Sequence, residues 1–335
     1  MQAMVVRAAK QPLVSEERDL PQPGRGEVRI RVHACGVCHS DHFVTEGLWP
    51  GLQLPRIPGH EVAGVIDAVG EGVDAFRAGD RVGVGWHGGH DGTCDACLRG
   101  KFIHCRAARV TGISGDGGYA QYLVAPAVAV ARVPDGMPFA EAAPLLCAGV
   151  TTFNALRNVG ARPGDLVAVQ GLGGLGHLGV QYARAMGFEV VAIARGAEKG
   201  GFATQLGAAQ YIDSEAEDAG RALADRGGAR VILATAPNAK AISALVPGLG
   251  VEGCLLIVAA PFEPITVGPI DLISRDARIQ GWSSGTAADS TDAMAFAQRM
   301  GVKAMIETFP LARANDAVAR MMSNQARFRA VLEVA

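Results

Sequence analysis

The chain has 335 residues, 44 of them glycine, and its 31 basic and 33 acidic side chains leave a net charge of −2. Near-neutrality gives no electrostatic case for binding nucleic acid or an anionic membrane, and no apolar run reaches the roughly 20 residues of a membrane span. The N-terminus MQAMVVRAAKQPL is too short and mixed for a signal peptide, so a cytoplasmic protein is expected. A hydrophobic fraction of 49 % at this length suits two domains with a large core.

The first third reads as β structure. Glu27–Val37 alternates Val28, Ile30 and Val32 with polar partners. Glu61–Val69, Gly79–Trp86 and Tyr119–Val133 are similar segments between Gly/Pro turns, the pattern of a closed or strongly bent antiparallel sheet. Gly36-Val37-Cys38-His39-Ser40-Asp41 groups a thiol, a hydroxyl and a carboxylate. Gly59-His60-Glu61 follows, and Cys147 stands apart in Leu146-Cys147-Ala148-Gly149. Two thiolates and one imidazole with an open fourth position make a catalytic zinc site. Cys94, Cys97 and Cys105 have the compact spacing of a structural zinc lobe, which needs a fourth ligand. Asp91, three residues before Cys94, is the candidate, with His87, His90 and His104 as competitors. Seven cysteines, odd in number and clustered, suit metal in a reducing compartment better than a disulfide framework.

From about residue 148 the rhythm changes. Strand-length apolar runs at Asp165–Gln170, Glu189–Arg195, Tyr211–Asp213, Arg230–Ala236, Gly253–Ala260 and Ala277–Trp282 alternate with helical stretches. That is a doubly wound parallel sheet, so the fold class is α/β. Two helices and a final strand, Phe328–Val334, then return to the first domain. The expected division is 1–147, 148–283 and a returning segment 284–335.

Leu166–Gln170 runs directly into Gly171-Leu172-Gly173-Gly174-Leu175-Gly176 and a helix. Gly171, Gly173 and Gly176 stand at the glycine places of the dinucleotide fingerprint, where the backbone approaches the pyrophosphate and the helix start holds it. The second strand ends Ile193-Ala194-Arg195-Gly196 with no carboxylate for a ribose 2′-hydroxyl. Arg195, assisted by Lys199, suits a 2′-phosphate, which leans the reading of NAD(P) towards NADP(H).

With these motifs in place, the chain resembles the zinc-dependent medium-chain alcohol dehydrogenases over essentially its whole length. The shared segments are ACGVCHSD (34–41), IPGHEVAG (57–64), GDRVG (79–83), residues 92–105, GGYAQY (117–122), LCAGVT (146–151) and GLGGLGHLGVQYARAM (171–186). The resemblance implies a GroES-like catalytic domain and a Rossmann nucleotide-binding domain. It implies catalytic zinc on Cys38, His60 and Cys147, with Glu61 behind the metal and Asp41 orienting His60. Ser40 would pass the substrate proton, His39 and Arg329 would contact the pyrophosphate, and Thr151 would lie against the nicotinamide. Gly174 and Leu175 belong to the same cofactor turn, and Trp49 and Trp86 would line the substrate pocket. Many members carry a relay histidine five residues after the first zinc cysteine. Here Phe43 holds that place beside His42, which leaves the relay beyond Ser40 open. The expected activity is reversible hydride transfer between a primary aliphatic or aromatic alcohol and NAD(P), with two zinc ions per chain. A homodimer or homotetramer is implied, acting on small molecules and not on nucleic acid or membranes. The alternative on the same architecture is a zinc-independent quinone or enone reductase.

Overall fold

The computed structural model describes residues 1–323 and 325–334 and divides into two compact units. Unit 1 comprises residues 1–150, 285–299 and the described residues from Ala304 onward; unit 2 comprises residues 151–284 and 300–303.

Unit 1 is β-rich. A small pair, β1 (Gln2–Val5) and β2 (Val14–Glu17), precedes the long strand β3 (Glu27–Val37). β4 (Val62–Val69), β5 (Arg81–Val84), β6 (His87–Gly89), β7 (Arg109–Val110), β8 (Tyr122–Pro126) and β9 (Val130–Arg132) follow. The main sheet runs β16-β17-β3-β4-β5-β9, with β8 also paired to β3. Its last two members, β16 (Ile306–Pro310) and β17 (Arg329–Glu333), come from the returning tail. The alternation in β3 is the reason for its position: Val28, Ile30 and Val32 are all buried in one core. Tyr119–Val133, expected as one segment, is interrupted, with a 3₁₀ turn at Ala127–Ala129 between β8 and β9.

Three registers gather the chemistry at one end of this sheet. Cys35 faces Val62, so the residues just after β3 lie beside those just before β4. Val37 faces Ala330, which brings Arg329 to the same edge. Val62 also faces Val84, placing the segment after β5 alongside. Cys38, His60, Glu61, Trp86 and Arg329 thus converge from four strand ends.

Unit 2 is a six-stranded sheet ordered β12-β11-β10-β13-β14-β15, with every pairing parallel. The strands are β10 (Leu166–Gln170), β11 (Glu189–Ala194), β12 (Gln210–Asp213), β13 (Ala229–Ala234), β14 (Leu249–Ile257) and β15 (Arg278–Gly281). Val167, Ala168, Val169, Ile232 and Leu233 are fully buried, as parallel strands covered on both faces require. The order is that of a doubly wound dinucleotide-binding sheet.

One helical segment reaches spanning length, although Glu141 and Arg157 interrupt its apolar run. The continuous helical run Phe139–Asn158 is long and apolar enough by composition, but 78 % of its apolar window is buried inside the protein. It is built as a core helix. Its interior departs from α geometry: Phe139–Pro144 is α-helical, Leu145–Gly149 is a π turn, and Val150–Asn158 resumes the α form. Pro144 lacks the N–H that would continue the regular ladder, and the widened turn follows directly.

Candidate active site and metal centres

Cys38 lies immediately beyond β3 and caps the 3₁₀ turn His39–Asp41, while Cys147 lies in the middle of the π turn. Their sulfurs are 3.8 Å apart. Two thiolates bound at about 2.3 Å in tetrahedral geometry stand about 3.8 Å from one another, so this spacing suits a shared metal. His60 Nε2 is buried and makes no hydrogen bond among the described residues, and it belongs to the same group. One ligand atom each from Cys38, His60, Glu61 and Cys147 lies within 4.8 Å of all the others. A buried imidazole nitrogen with no other acceptor or donor role, beside two sulfurs at this spacing, fits the donor set of a zinc site.

The surroundings fix these donors. Asp41, 3 % exposed, receives the Cys38 backbone N–H at Oδ2 (2.9 Å), and its Oδ1 lies 3.1 Å from His60 Nδ1. A proton on Nδ1 leaves Nε2 as the lone-pair nitrogen. The hydrogen bond with Cys147 holds the Cys38 thiol well below its ordinary range; burial opposes it and the nearby Arg329 charge assists. Cys147 is pushed up correspondingly. Behind them Arg329 donates to Glu61, and both are buried. Burial pushes the Glu61 carboxyl up to about 7, with Arg329 opposing. Sequence reasoning placed Arg329 at the cofactor; in this structure its guanidinium is in the buried pair with Glu61.

Trp86 packs edge-on against His60 at 5.0 Å, Trp49 meets Trp86 at 5.7 Å, and Phe43 meets Trp49 at 6.1 Å. The two tryptophans therefore form an aromatic wall at the metal cluster, and Phe43 extends it, a role its sequence position did not reveal. Ser40 is half-buried and His39 exposed on the same turn.

The second group is Asp91, Cys94, Cys97 and Cys105, again with donor atoms within 4.8 Å of one another and Cys94 and Cys105 sulfurs 3.8 Å apart. Asp91 Oδ1 accepts the backbone N–H groups of Cys94 (2.9 Å) and Thr93 (2.7 Å), which hold the carboxyl well below its usual range. Of the competing histidines, His87 and His90 pair with each other at 3.1 Å, and His104 is exposed; none joins the cluster.

In unit 2, Gly171 (φ +94°) turns the chain after β10, and a Cβ on Gly176 would sit 1.7 Å from the Gly171 carbonyl oxygen. Only glycine allows the helix Gly176–Ala185 to start so close to the strand. Gly173 differs: it is exposed and a Cβ there would meet nothing within 4 Å. Its bare face is a place for a ligand, as the fingerprint requires of the glycine that faces a pyrophosphate. Arg195 is exposed at the end of β11, and Lys199 Nζ donates to its carbonyl (2.7 Å). Thr151 is buried near the start of Val150–Asn158.

Residues 24–135 match the model of the alcohol dehydrogenase GroES-like domain, and residues 174–299 match that of the zinc-binding dehydrogenases. The alcohol dehydrogenase patD of Penicillium expansum is 49 % identical over 325 residues, covering 96 % of this chain and 94 % of its own. An alcohol dehydrogenase of Geobacillus stearothermophilus is 42 % identical over the full length of both chains. The chain belongs to the zinc-binding alcohol dehydrogenase family of oxidoreductases. Its architecture agrees: a solved cinnamyl alcohol dehydrogenase from Sorghum bicolor superposes with a TM-score of 0.90 at 34 % identity, covering 99 % of this chain and 97 % of that one. Unit 1 of this dehydrogenase is the GroES-like part and unit 2 the Rossmann part.

Proposed function

We propose that the protein is a zinc-dependent alcohol dehydrogenase and aldehyde reductase that interconverts primary aliphatic or aromatic alcohols and aldehydes with NADP(H). The observation that carries this reading is the buried triad of Cys38, His60 and Cys147, with its 3.8 Å sulfur spacing and its unpartnered Nε2. When bound, zinc supplies a Lewis acid for the substrate oxygen and the nicotinamide supplies or accepts the hydride.

The chain's own residues do the rest. Asp41 holds His60 in the tautomer that offers Nε2, and fixes the Cys38 backbone at the same time. Ser40 takes the alcohol proton on oxidation and returns it on reduction. Glu61, braced by Arg329, lies behind the ligands. Trp49 and Trp86 form a flat wall that suits aliphatic and aromatic side groups. Gly171, Gly173, Gly174, Leu175 and Gly176 receive the pyrophosphate with help from His39, and Thr151 contacts the nicotinamide. Arg195 and Lys199 take the 2′-phosphate, since β11 ends without a carboxylate.

A second zinc on Asp91, Cys94, Cys97 and Cys105 stiffens the cysteine lobe. The reading extends to a cytoplasmic homodimer or homotetramer built through the nucleotide unit. Seven unbridged thiols suit a reducing compartment. Exposed Ile270 and Ile273 in unit 2 are apolar surface of the kind buried between subunits.

Initial rates of the zinc-loaded protein with NADH and NADPH, across aliphatic and aromatic aldehydes, test this. Turnover with a preference for NADPH is expected. No nicotinamide-dependent turnover with any of them would sink the proposal.

A further inference from the structure

We propose that the Tyr119 hydroxyl is a positioning group for the catalytic metal ligands, acting through Asp41 on Cys38 and His60 together. The inference rests on reading Cys38, His60 and Cys147 as metal ligands.

Tyr119 is fully buried, and its hydroxyl donates to Asp41 Oδ2 at 3.0 Å across 78 positions of sequence. The same oxygen accepts the Cys38 N–H, and the other faces His60 Nδ1. Asp41 therefore has three partners, two of which belong to metal ligands. With a single partner on each oxygen, small rotations of the carboxylate would loosen both contacts together. A third donor, reaching in from the loop just before β8, tightens the plane in which both oxygens face their ligands. Hydrogen bonds from a hydroxyl to a carboxylate are among the stronger kinds, so this one is an effective tether. Burial, with the Asp41 charge adding to it, keeps the phenol far above its usual titration range, so it remains a donor at any ordinary pH.

The backbone is built around this contact. Gly117 N–H donates to the Ile57 carbonyl (2.7 Å), Gly118 N–H to that of Gly59 (2.9 Å) and Tyr119 N–H to that of Pro58 (3.0 Å). Residues 117–119 thus lie along the loop that delivers His60. At Gly59 (φ +102°) a Cβ would stand 2.4 Å from Tyr119 Cδ1. The residue before the ligand is glycine because the ring occupies the space a side chain would need. The GGY and PGH motifs are therefore two halves of one packing arrangement. Asp41 accounts for the tautomer of His60, and Tyr119 accounts for the orientation of Asp41.

The test is metal binding, using Zn²⁺ alone in competition with a chromophoric chelator, on Tyr119→Phe, Asp41→Asn and the double variant. The wild type should show two classes of site, the Asp91 lobe serving as internal reference. Tyr119→Phe should weaken one class by about 3- to 10-fold, less than the 10- to 100-fold typical of a direct partner of a ligand, and leave the other unchanged. In the Asp41→Asn background the same change should add nothing, because the path through Asp41 is already cut. Replacing Tyr119 by 3-fluorotyrosine, which keeps ring and hydroxyl, should restore at least wild-type affinity. An unchanged affinity in Tyr119→Phe, or an equal loss in both backgrounds, would overturn the inference. So would a 3-fluorotyrosine protein as weak as Tyr119→Phe. If Tyr119→Phe does not fold, a series of increasingly fluorinated tyrosines carries the test: affinity rising with phenol acidity supports the tether, and a flat series overturns it. A wild type with only the lobe's class of site would remove the ligand reading as well. A wild type with both classes and an indifferent variant would remove the inference alone.

Discussion

Arg329 donates a hydrogen bond to Glu61 from 268 positions away, and neither side chain is more than 5 % exposed. Removing one member of a buried pair leaves the other charge without compensation, at about 3–5 kcal/mol. Arg329→Met should therefore destabilise unit 1 by about that much in denaturant unfolding. Without Arg329 the Glu61 carboxyl, already at about 7, moves higher and protonates more readily. A carboxyl raised above its unfolded value loses stability as pH rises, so the deficit should be larger at about pH 8 than at about pH 6. Glu61→Gln in the same chain should recover much of the loss.

Cys38→Ala and His60→Ala should each lower kcat by several orders of magnitude while leaving nucleotide affinity within about twofold, because the dinucleotide turn lies in the other unit. Isothermal titration with NADPH beside a turnover assay checks both. Loss of nucleotide binding in both variants would contradict this division of labour. A chelator should remove zinc from the lobe first, since Asp91 is exposed whereas Cys38 and His60 are buried.

Two glycines of the cofactor turn should behave oppositely. Gly176→Ala places a methyl 1.7 Å from a carbonyl oxygen, so it should lower the melting temperature. Gly173→Ala meets nothing in the protein, so stability should hold while dinucleotide affinity drops roughly tenfold or more. A Gly173→Ala protein that binds normally would remove Gly173 from the pyrophosphate contact.

Arg195→Ala should raise the KM for NADPH by about 10- to 100-fold, the range for a lost charged hydrogen bond, and barely alter that for NADH. Comparing the two cofactors in one assay is sufficient. Equal changes for both would dissociate Arg195 from the 2′-phosphate.

His87 is 3 % exposed, and burial, with His90 adding to it, lowers its pKa to about 4. The unfolded chain takes up a proton near 6.5 that the folded one refuses, so this histidine's contribution is intact above 6.5 and is lost as pH falls towards 4. That interval corresponds to at most roughly 3 kcal/mol. His87→Asn should flatten the acid limb of stability relative to wild type, as followed by denaturant unfolding at about pH 7 and pH 5. Parallel limbs would assign the acid sensitivity elsewhere.

The parallel strands were legible because each is a short apolar run between turn residues, and β10 to β15 fall within a few residues of their expected spans. Cys38, His60 and Cys147 could be grouped from residue type and context. β16 escaped notice because Ile-Glu-Thr-Phe-Pro neither alternates cleanly nor forms a continuous apolar run, and only pairing with β17 makes it a strand. Tyr119 looked like any aromatic strand residue. Its significance lies in a bond to Asp41, and nothing local records a partner so far along the chain. The π turn at Cys147 was likewise silent, although Pro144, three residues earlier, was a readable sign that the helix could not stay regular.

The strand order of unit 1 also sets a timetable. β17 joins β3, so the edge that brings Arg329 to Glu61 cannot close until Arg329, 268 positions after Glu61, has been synthesised. The six strands of unit 2 come from one uninterrupted stretch and can assemble well before that. During translation the nucleotide unit should be in place while the ligand-bearing half still waits for its last strand.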